Sequence, residues 1–328
     1  VTSRSPRYYV SAAYWDRDSL LWSFPAVLVI DPKRAKRMLD YVFTTQKKNI
    51  GIHSRYIDGV VLEPGFELDE LCAPILALDM YLKETNDWAY IQKTYVQESL
   101  EQIVENLIAH KHDTINLYDT FLQPTDDPIV YPFLTYNNAL VWKMLKILSR
   151  LSKEINLSYE SSRFEQMAFQ VREAIYQHMV VEEDGERFFA WSVDLQGNYN
   201  IYDEPPGSLQ LLPYYGFCSF DDEVYKNTVK VIRSEKNVYS FIGCVFEELG
   251  CAHAEHPWIL SVANSFLSGR KNEARDFVIR APLDGGIACE SIDEHIGVPR
   301  TGEHFATCAG FLAYAIYYAF GKGREINE

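Results

Sequence analysis

Glu67-Leu-Asp-Glu-Leu-Cys-Ala-Pro-Ile-Leu-Ala-Leu-Asp-Met-Tyr-Leu-Lys-Glu-Thr85 carries its apolar residues at intervals of three and four. Leu68, Leu71, Ile75, Leu76, Met80 and Leu82 thereby share one broad helical face. Residues 88–109 repeat the pattern with Ile91, Val96, Leu100, Ile103, Val104 and Leu107. Upstream, the apolar stretch 17–30 stops at Asp31-Pro32, where proline opens a second helix. Downstream, the same spacing predicts helices over 132–152, 158–180, 206–216, 222–235, 255–269, 271–280 and 302–320.

That makes eleven or so helices in 328 residues, and twelve would leave about 27 residues for each helix and its loop. No repeat of about 34 or 40 residues marks a regular solenoid. No linker or change of composition divides the chain, so residues 1–328 are expected to form one all-α domain. A closed toroid of six helical hairpins, an (α/α)6 barrel, fits the count, and an open helical array fits it nearly as well. One segment departs from helical spacing. Arg187-Phe-Phe-Ala-Trp-Ser-Val193 alternates, turns at Gly197-Asn198 and continues through 199–202. It predicts a small β-hairpin inserted on the helical body.

Composition narrows the function. The net charge is -15, from 46 acidic and 31 basic residues. A surface so negative repels phosphate backbones, and nucleic acid is not an expected partner. No apolar run reaches the length of a membrane span, so no membrane partner is expected either. The first residues, Val1-Thr-Ser-Arg-Ser-Pro-Arg7, lack both an initiator Met and a following apolar h-region. The chain is therefore expected to be a processed or cut piece, and a fragment lacking an N-terminal domain fits the same signs. Six scattered cysteines without a C-x-x-C pair suggest buried thiols in a reducing cytoplasm. Oligomeric state is not legible.

Polar and aromatic residues crowd into four segments between the helices. Tyr14-Trp-Asp-Arg-Asp-Ser19 precedes an apolar helix. A helix cap needs one carboxylate, whereas this segment joins Trp15, Arg17 and two aspartates. Arg17 beside Asp18 suits vicinal hydroxyls. Glu63, Glu67, Asp69 and Glu70 cluster where a helix begins, which a helix dipole alone also favours. Phe121-Leu-Gln-Pro-Thr-Asp-Asp-Pro128 leads to Tyr131-Pro-Phe-Leu-Thr-Tyr-Asn-Asn138. Adjacent carboxylates among aromatics can raise one pKa, as a general acid requires, although Asp-Asp-Pro is also a common turn. The fourth segment, Asp284-Gly-Gly-Ile-Ala-Cys-Glu-Ser-Ile-Asp-Glu-His295, places Glu290 after a Gly-Gly loop, and Thr301-Gly-Glu-His304 follows it. A solvated loop is the alternative there.

His53, His110 and His112 lack metal-ligand spacing, and His253 with His256 lacks a third ligand, so no metal is expected. No Gly-rich phosphate loop or G-x-S-x-G elbow appears, and no cofactor is expected.

Taken in order, the segments resemble glycoside hydrolase family 125, the metal-independent exo-α-mannosidases built on an (α/α)6 barrel. Trp15-Asp16-Arg17-Asp18-Ser19 is similar to its W-x-R-D-S, and Glu67-Leu-Asp-Glu-Leu-Cys-Ala-Pro74 to its E-x-D-x-L-C-x-P. Pro124-Thr-Asp-Asp-Pro128 resembles its P-S-D-D-A loop. Asp203-Glu-Pro-Pro-Gly-Ser-Leu-Gln-Leu-Leu-Pro-Tyr-Tyr-Gly216 resembles its D-x-x-x-P-S-L-x-x-L-P-Y-x-G segment, and Cys289-Glu290-Ser291 its H-E-S. Cys289 departs from the family's His, and the chain's last segment looks more like the glucoamylase family 15.

The resemblance implies an inverting glycoside hydrolase acting on an oligosaccharide or glycoside. Asp126 would be the general acid, with Asp127 as the other candidate, and Glu290 the general base. Arg17, Asp18, Glu67, Asp69 and Asp127 would bind the terminal sugar, with Trp15, Tyr131 and Tyr136 covering its apolar face. An α-glucosidase or glucoamylase-like enzyme and a non-catalytic carbohydrate-binding protein remain the alternatives.

Overall fold

The computed structural model describes residues 13–321; the N-terminal stretch examined above for a leader lies outside the described residues. A π-helical turn, Arg17–Ser23, runs into α1 (Phe24–Ile30). Asp31 then breaks the helix in an extended conformation, and its side chain accepts the Arg34 N–H to open α2 (Pro32–Thr44). Next come α3 (Leu68–Thr85), α4 (Thr94–Ala109), α5 (Thr135–Leu151) and α6 (Ser161–His178). The chain continues through α7 (Glu223–Ile232), α8 (Ile259–Leu267), α9 (Lys271–Arg280) and α10 (Ala306–Phe320).

Neighbouring helices pack as hairpins, α1 with α2, α3 with α4, α5 with α6 and α8 with α9. The first member of each pair belongs to an inner ring. That ring runs from 17–30 through α3, α5, the segment 205–216 and α8 to α10. It closes because α10 packs back on Arg17–Ser23 and α1. Two of the inner helices are buried nearly all round: all nine residues of α8 and fourteen of the eighteen in α3 are buried. An apolar core continuous from Tyr14 to Ala315 fills the space between the rings.

Two sequence expectations need correction. The stretch 206–216 is not a helix but two short 3₁₀ turns, Pro205–Gly207 and Leu209–Leu211. Pro205, Pro206 and Pro213 lack the N–H groups a helix would need. The expected first strand, 187–193, is broken at Ala190-Trp191. Strand Glu186–Phe189 pairs backwards with Val180–Glu183, and Ser192–Val193 pairs with Tyr199–Asn200 across the foreseen turn. A further hairpin, Ile52–Tyr56 with Val61–Phe66, lies between α2 and α3.

Candidate active site

The site is assembled around one arginine. Glu70 accepts the backbone N–H groups of Asp16 and Arg17 at 2.5 and 3.0 Å, which pins the start of the π-helical turn to α3. Arg55 bonds Asp16 at 2.6 Å and completes a fully buried network. Burial pushes the Glu70 carboxyl well above its usual range. Held in this way, the Arg17 guanidinium donates to Glu67 at 2.6 Å, to Asp69 at 3.1 Å and to Asp126. Burial opposes its charge, yet Glu67, Asp69, Asp126 and Glu70 outweigh that and raise its pKa well above normal. Asp18 accepts the Thr307 hydroxyl at 3.0 Å, a bond from the first helical segment to the last.

His53, on the hairpin before α3, was not foreseen as a site residue. Its Nδ1 lies 2.7 Å from Glu67 and 3.6 Å from Asp126, and its Nε2 3.4 Å from Glu63. Burial lowers its pKa, but the hydrogen bond and charge of Glu67, with Asp126, turn the net shift upward. Ligand-capable atoms of His53, Glu67 and Asp126 fall within 4.8 Å of one another. Arg17 already bonds both carboxylates, so a guanidinium fills the place of a cation there.

Asp126 sits in a tight loop at a positive φ of 71°, where its N–H bonds the Gln123 carbonyl at 2.9 Å. Segment 203–207 supports the loop from below. Thr125 donates its hydroxyl to Glu204 at 3.0 Å. Pro124 and Tyr136 close over Gly207 so tightly that a Cβ there would lie 2.5 Å from Pro124 Cγ and 2.8 Å from the tyrosine ring. Burial keeps the Glu204 carboxyl well above its usual range and raises that of Asp203 to about 7. Neither residue stood out in the sequence as part of a site, because nothing there shows that they are buried.

Glu290 approaches from the other side. Its backbone N–H reaches the Gly302 carbonyl at 3.1 Å, and its carbonyl accepts from Ile259 at 3.0 Å. Gly302, at φ 58°, lies against the Glu290 Cβ with no room for a side chain. The Glu290 side chain is nearly buried, yet its carboxylate makes no hydrogen bond or ion pair with any described residue.

Asp126 and Glu290 line one narrow cleft. Arg17, Asp18, Thr125 and His253 supply its other polar groups; Trp22, Pro124, Pro206, Trp258 and Phe305 supply apolar walls. Glu67 and Asp69 stand behind Arg17, and Asp127 bonds His253 at 3.0 Å. Trp15 meets His53 edge-on at 6.0 Å. Tyr136 is buried beneath the Asp126 loop, facing Tyr215, and Tyr131 is half-buried; neither lines the cleft. A larger groove lined by Phe266, Val278, Ile279, Ile316, Phe320 and Arg275 carries no carboxylate. No helix among the described residues is long and apolar enough to cross a membrane.

Residues 108–316 match the protein family described as metal-independent α-mannosidase (GH125). The Meiotically up-regulated gene 157 protein of Schizosaccharomyces pombe is 30% identical over 187 residues, 54% of this chain and 37% of that protein. The chain therefore spans little more than a third of that curated relative. Among solved structures, it is similar to a metal-independent α-mannosidase from Streptococcus pneumoniae in a non-productive complex with α-1,6-mannobiose. That likeness has a TM-score of 0.80 and 21% identity, over 94% of this chain and 86% of the other. A bacterial glucoamylase complexed with acarbose matches with a TM-score of 0.68 and 17% identity, over 94% of this chain and 48% of its own. These likenesses show the fold, the (α/α)6 barrel of these glycosidases.

Proposed function

Because the chain belongs to family GH125, the metal-independent α-mannosidases, we propose that it hydrolyses a terminal α-linked mannose with inversion of configuration. The observation that carries the reading is the cleft itself. Two carboxyl groups from distant loops, Asp126 and Glu290, face one small cavity beside a buried arginine. Glycoside hydrolysis needs such a pair.

Asp126 is the general acid in this mechanism and gives its proton to the glycosidic oxygen as the bond from that oxygen to the anomeric carbon breaks. Glu290 is the general base. It takes a proton from the water whose oxygen forms the new bond on the opposite face of the ring. Its carboxylate has no hydrogen-bond or ion-pair partner among the described residues, which leaves it open to a water. An inverting pair stands roughly 6.5–9.5 Å apart to admit that water. Arg17 and Asp18 bind hydroxyls of the terminal sugar, and Glu67 and Asp69 hold Arg17 in place. Asp127, bonded to His253 toward the mouth of the cleft, is the second candidate for the acid. All six cysteines are free thiols, five of them buried, which supports a reducing compartment such as the cytoplasm.

The likeness to glucoamylase favours one second reading, an α-glucosidase on the same barrel. Incubation with a panel of α-linked mannose and glucose disaccharides separates the two, and NMR of the first-formed anomer tests inversion. Release of β-mannose supports the proposal. Release of glucose alone supports the second reading, and release of α-mannose overturns inversion.

A further inference from the structure

We infer that His253 determines which leaving group the enzyme accepts, by hydrogen-bonding the sugar that departs. The inference rests on the mannosidase reading and deepens it. The cleft is graded in depth. Arg17, Asp18 and Glu290 are 1%, 4% and 3% exposed, and they form its floor. The side chain of Asp126 is 23% exposed, and those of His253 and Asp127 are 32% and 40% exposed. A general acid must touch the glycosidic oxygen, which joins the two sugars, so Asp126 marks the boundary between them. The terminal sugar lies on the floor side of that boundary. The departing sugar lies on the mouth side, where His253 lines the cleft.

The imidazole is held for that task. Its Nδ1 donates to Asp127 at 3.0 Å, and its ring meets Trp258 edge-on at 6.0 Å. Its own segment, 251–259, is fastened to the opposite loop. The Ile259 N–H bonds the Glu290 carbonyl and the Ile292 N–H bonds the Pro257 carbonyl at 3.0 Å, while Trp258 Nε1 bonds the Ala254 carbonyl at 3.0 Å within the segment. His253 is thus fixed to the loop of the acid through Asp127 and to the loop of the base through its backbone. Its Nε2 makes no hydrogen bond with a described residue. A ring oriented by a carboxylate, with its second nitrogen unbonded to any described residue and the residue lining a cleft, suits a hydroxyl group. The preferred leaving group is therefore a hydroxyl-rich sugar rather than an apolar aglycone.

The test compares the wild-type chain with His253→Ala and His253→Gln on two substrates. One is an α-linked mannobiose, whose departing sugar reaches the mouth. The other is α-mannosyl fluoride, whose leaving group does not. The expected result is that His253→Ala lowers kcat/KM for the disaccharide about tenfold more than for the fluoride, chiefly through KM, the scale of one lost hydrogen bond. His253→Gln, which keeps a planar hydrogen-bonding group, should recover part of the difference. Equal losses on both substrates, in either variant, overturn the inference and leave His253 a structural brace. If His253→Ala does not fold, the ratio for His253→Gln alone decides. A wild-type chain active on the fluoride but indifferent to the disaccharide's departing sugar also counts against it. A wild-type chain that releases mannose from neither substrate overturns the mannosidase reading instead, and this inference with it.

Discussion

Arg17 and Asp126 are 109 positions apart in the chain, yet the Arg17 guanidinium donates to Asp126 Oδ1 in the cleft. The same guanidinium holds Glu67 and Asp69, so one side chain is shared by three carboxyl groups. Buried ion pairs contribute little net stability, but losing one partner leaves uncompensated charge. Arg17→Met should therefore cost about 3–5 kcal/mol in denaturant unfolding, as buried pairs do when half is removed. Arg17→Lys keeps the charge but not the fork, and it should fold while losing most of its activity. A methionine variant within about 1 kcal/mol of wild type would show that the arginine is not what balances these acids.

The proposed roles of Asp126 and Glu290 differ, and their variants should differ too. Asp126→Asn removes the acid, so substrates with poor leaving groups should slow by about 10²–10⁴-fold while activated aryl mannosides keep more of their rate. Glu290→Gln removes the base, and every substrate should slow. Equal losses on activated and natural substrates in Asp126→Asn would transfer the acid role to Asp127. Near-normal turnover in Glu290→Gln on all substrates would end the assignment of the base.

Two glycines set these carboxyl groups in place. Gly302 lies against the Glu290 Cβ at φ 58°, and Gly207 packs under Pro124 in the loop of the acid. Alanine at Gly302 meets both backbone strain, about 1–2 kcal/mol, and a steric clash with Glu290. Gly302→Ala should reproduce much of the kcat loss of Glu290→Gln with KM little changed. A crystal structure of the variant should show the Glu290 carboxyl displaced. Wild-type kcat in this variant would mean that Glu290 tolerates movement, which a positioned base does not.

Much of this architecture could be read from the sequence because helices announce themselves locally. The Asp31-Pro32 stop, the apolar face from Leu68 to Leu82 and the span of α9 needed only spacing and caps. The segment 206–216 misled because leucines and tyrosines at helical intervals hid two prolines, Pro206 and Pro213, and the ring accepts 3₁₀ turns there. The hairpin at 52–66 went unseen although Asp58-Gly59 marks its turn, with Gly59 at φ 84°. His53 went unseen with it. The four polar segments do converge on Arg17 and the cleft, but their internal order was not legible. Which acids Arg17 holds, and that Thr125 leans on Glu204, depend on how the ring closes, and no local pattern encodes that.

Asp203 lies fully buried on the segment that supports the Asp126 loop. Burial raises its carboxyl to about 7, although Ser208 and the Leu209 N–H both donate to it. An unfolded aspartate titrates near 3.9. Between those values the folded chain holds a proton that the unfolded chain has lost, so stability contributed below about pH 4 is lost as pH rises through about 7. The whole shift corresponds to roughly 4 kcal/mol at 1.36 kcal/mol per pKa unit. Glu204, also raised by burial, adds to the same slope. Asp203→Asn cannot ionise, so its urea-unfolding free energy should fall less steeply between pH 4.5 and 8 than that of wild type. The two curves should diverge in favour of the variant at the alkaline end. Parallel curves across that range would mean that Asp203 is ionised in the folded chain at neutral pH. The support under Thr125 and Asp126 would then be charged rather than neutral.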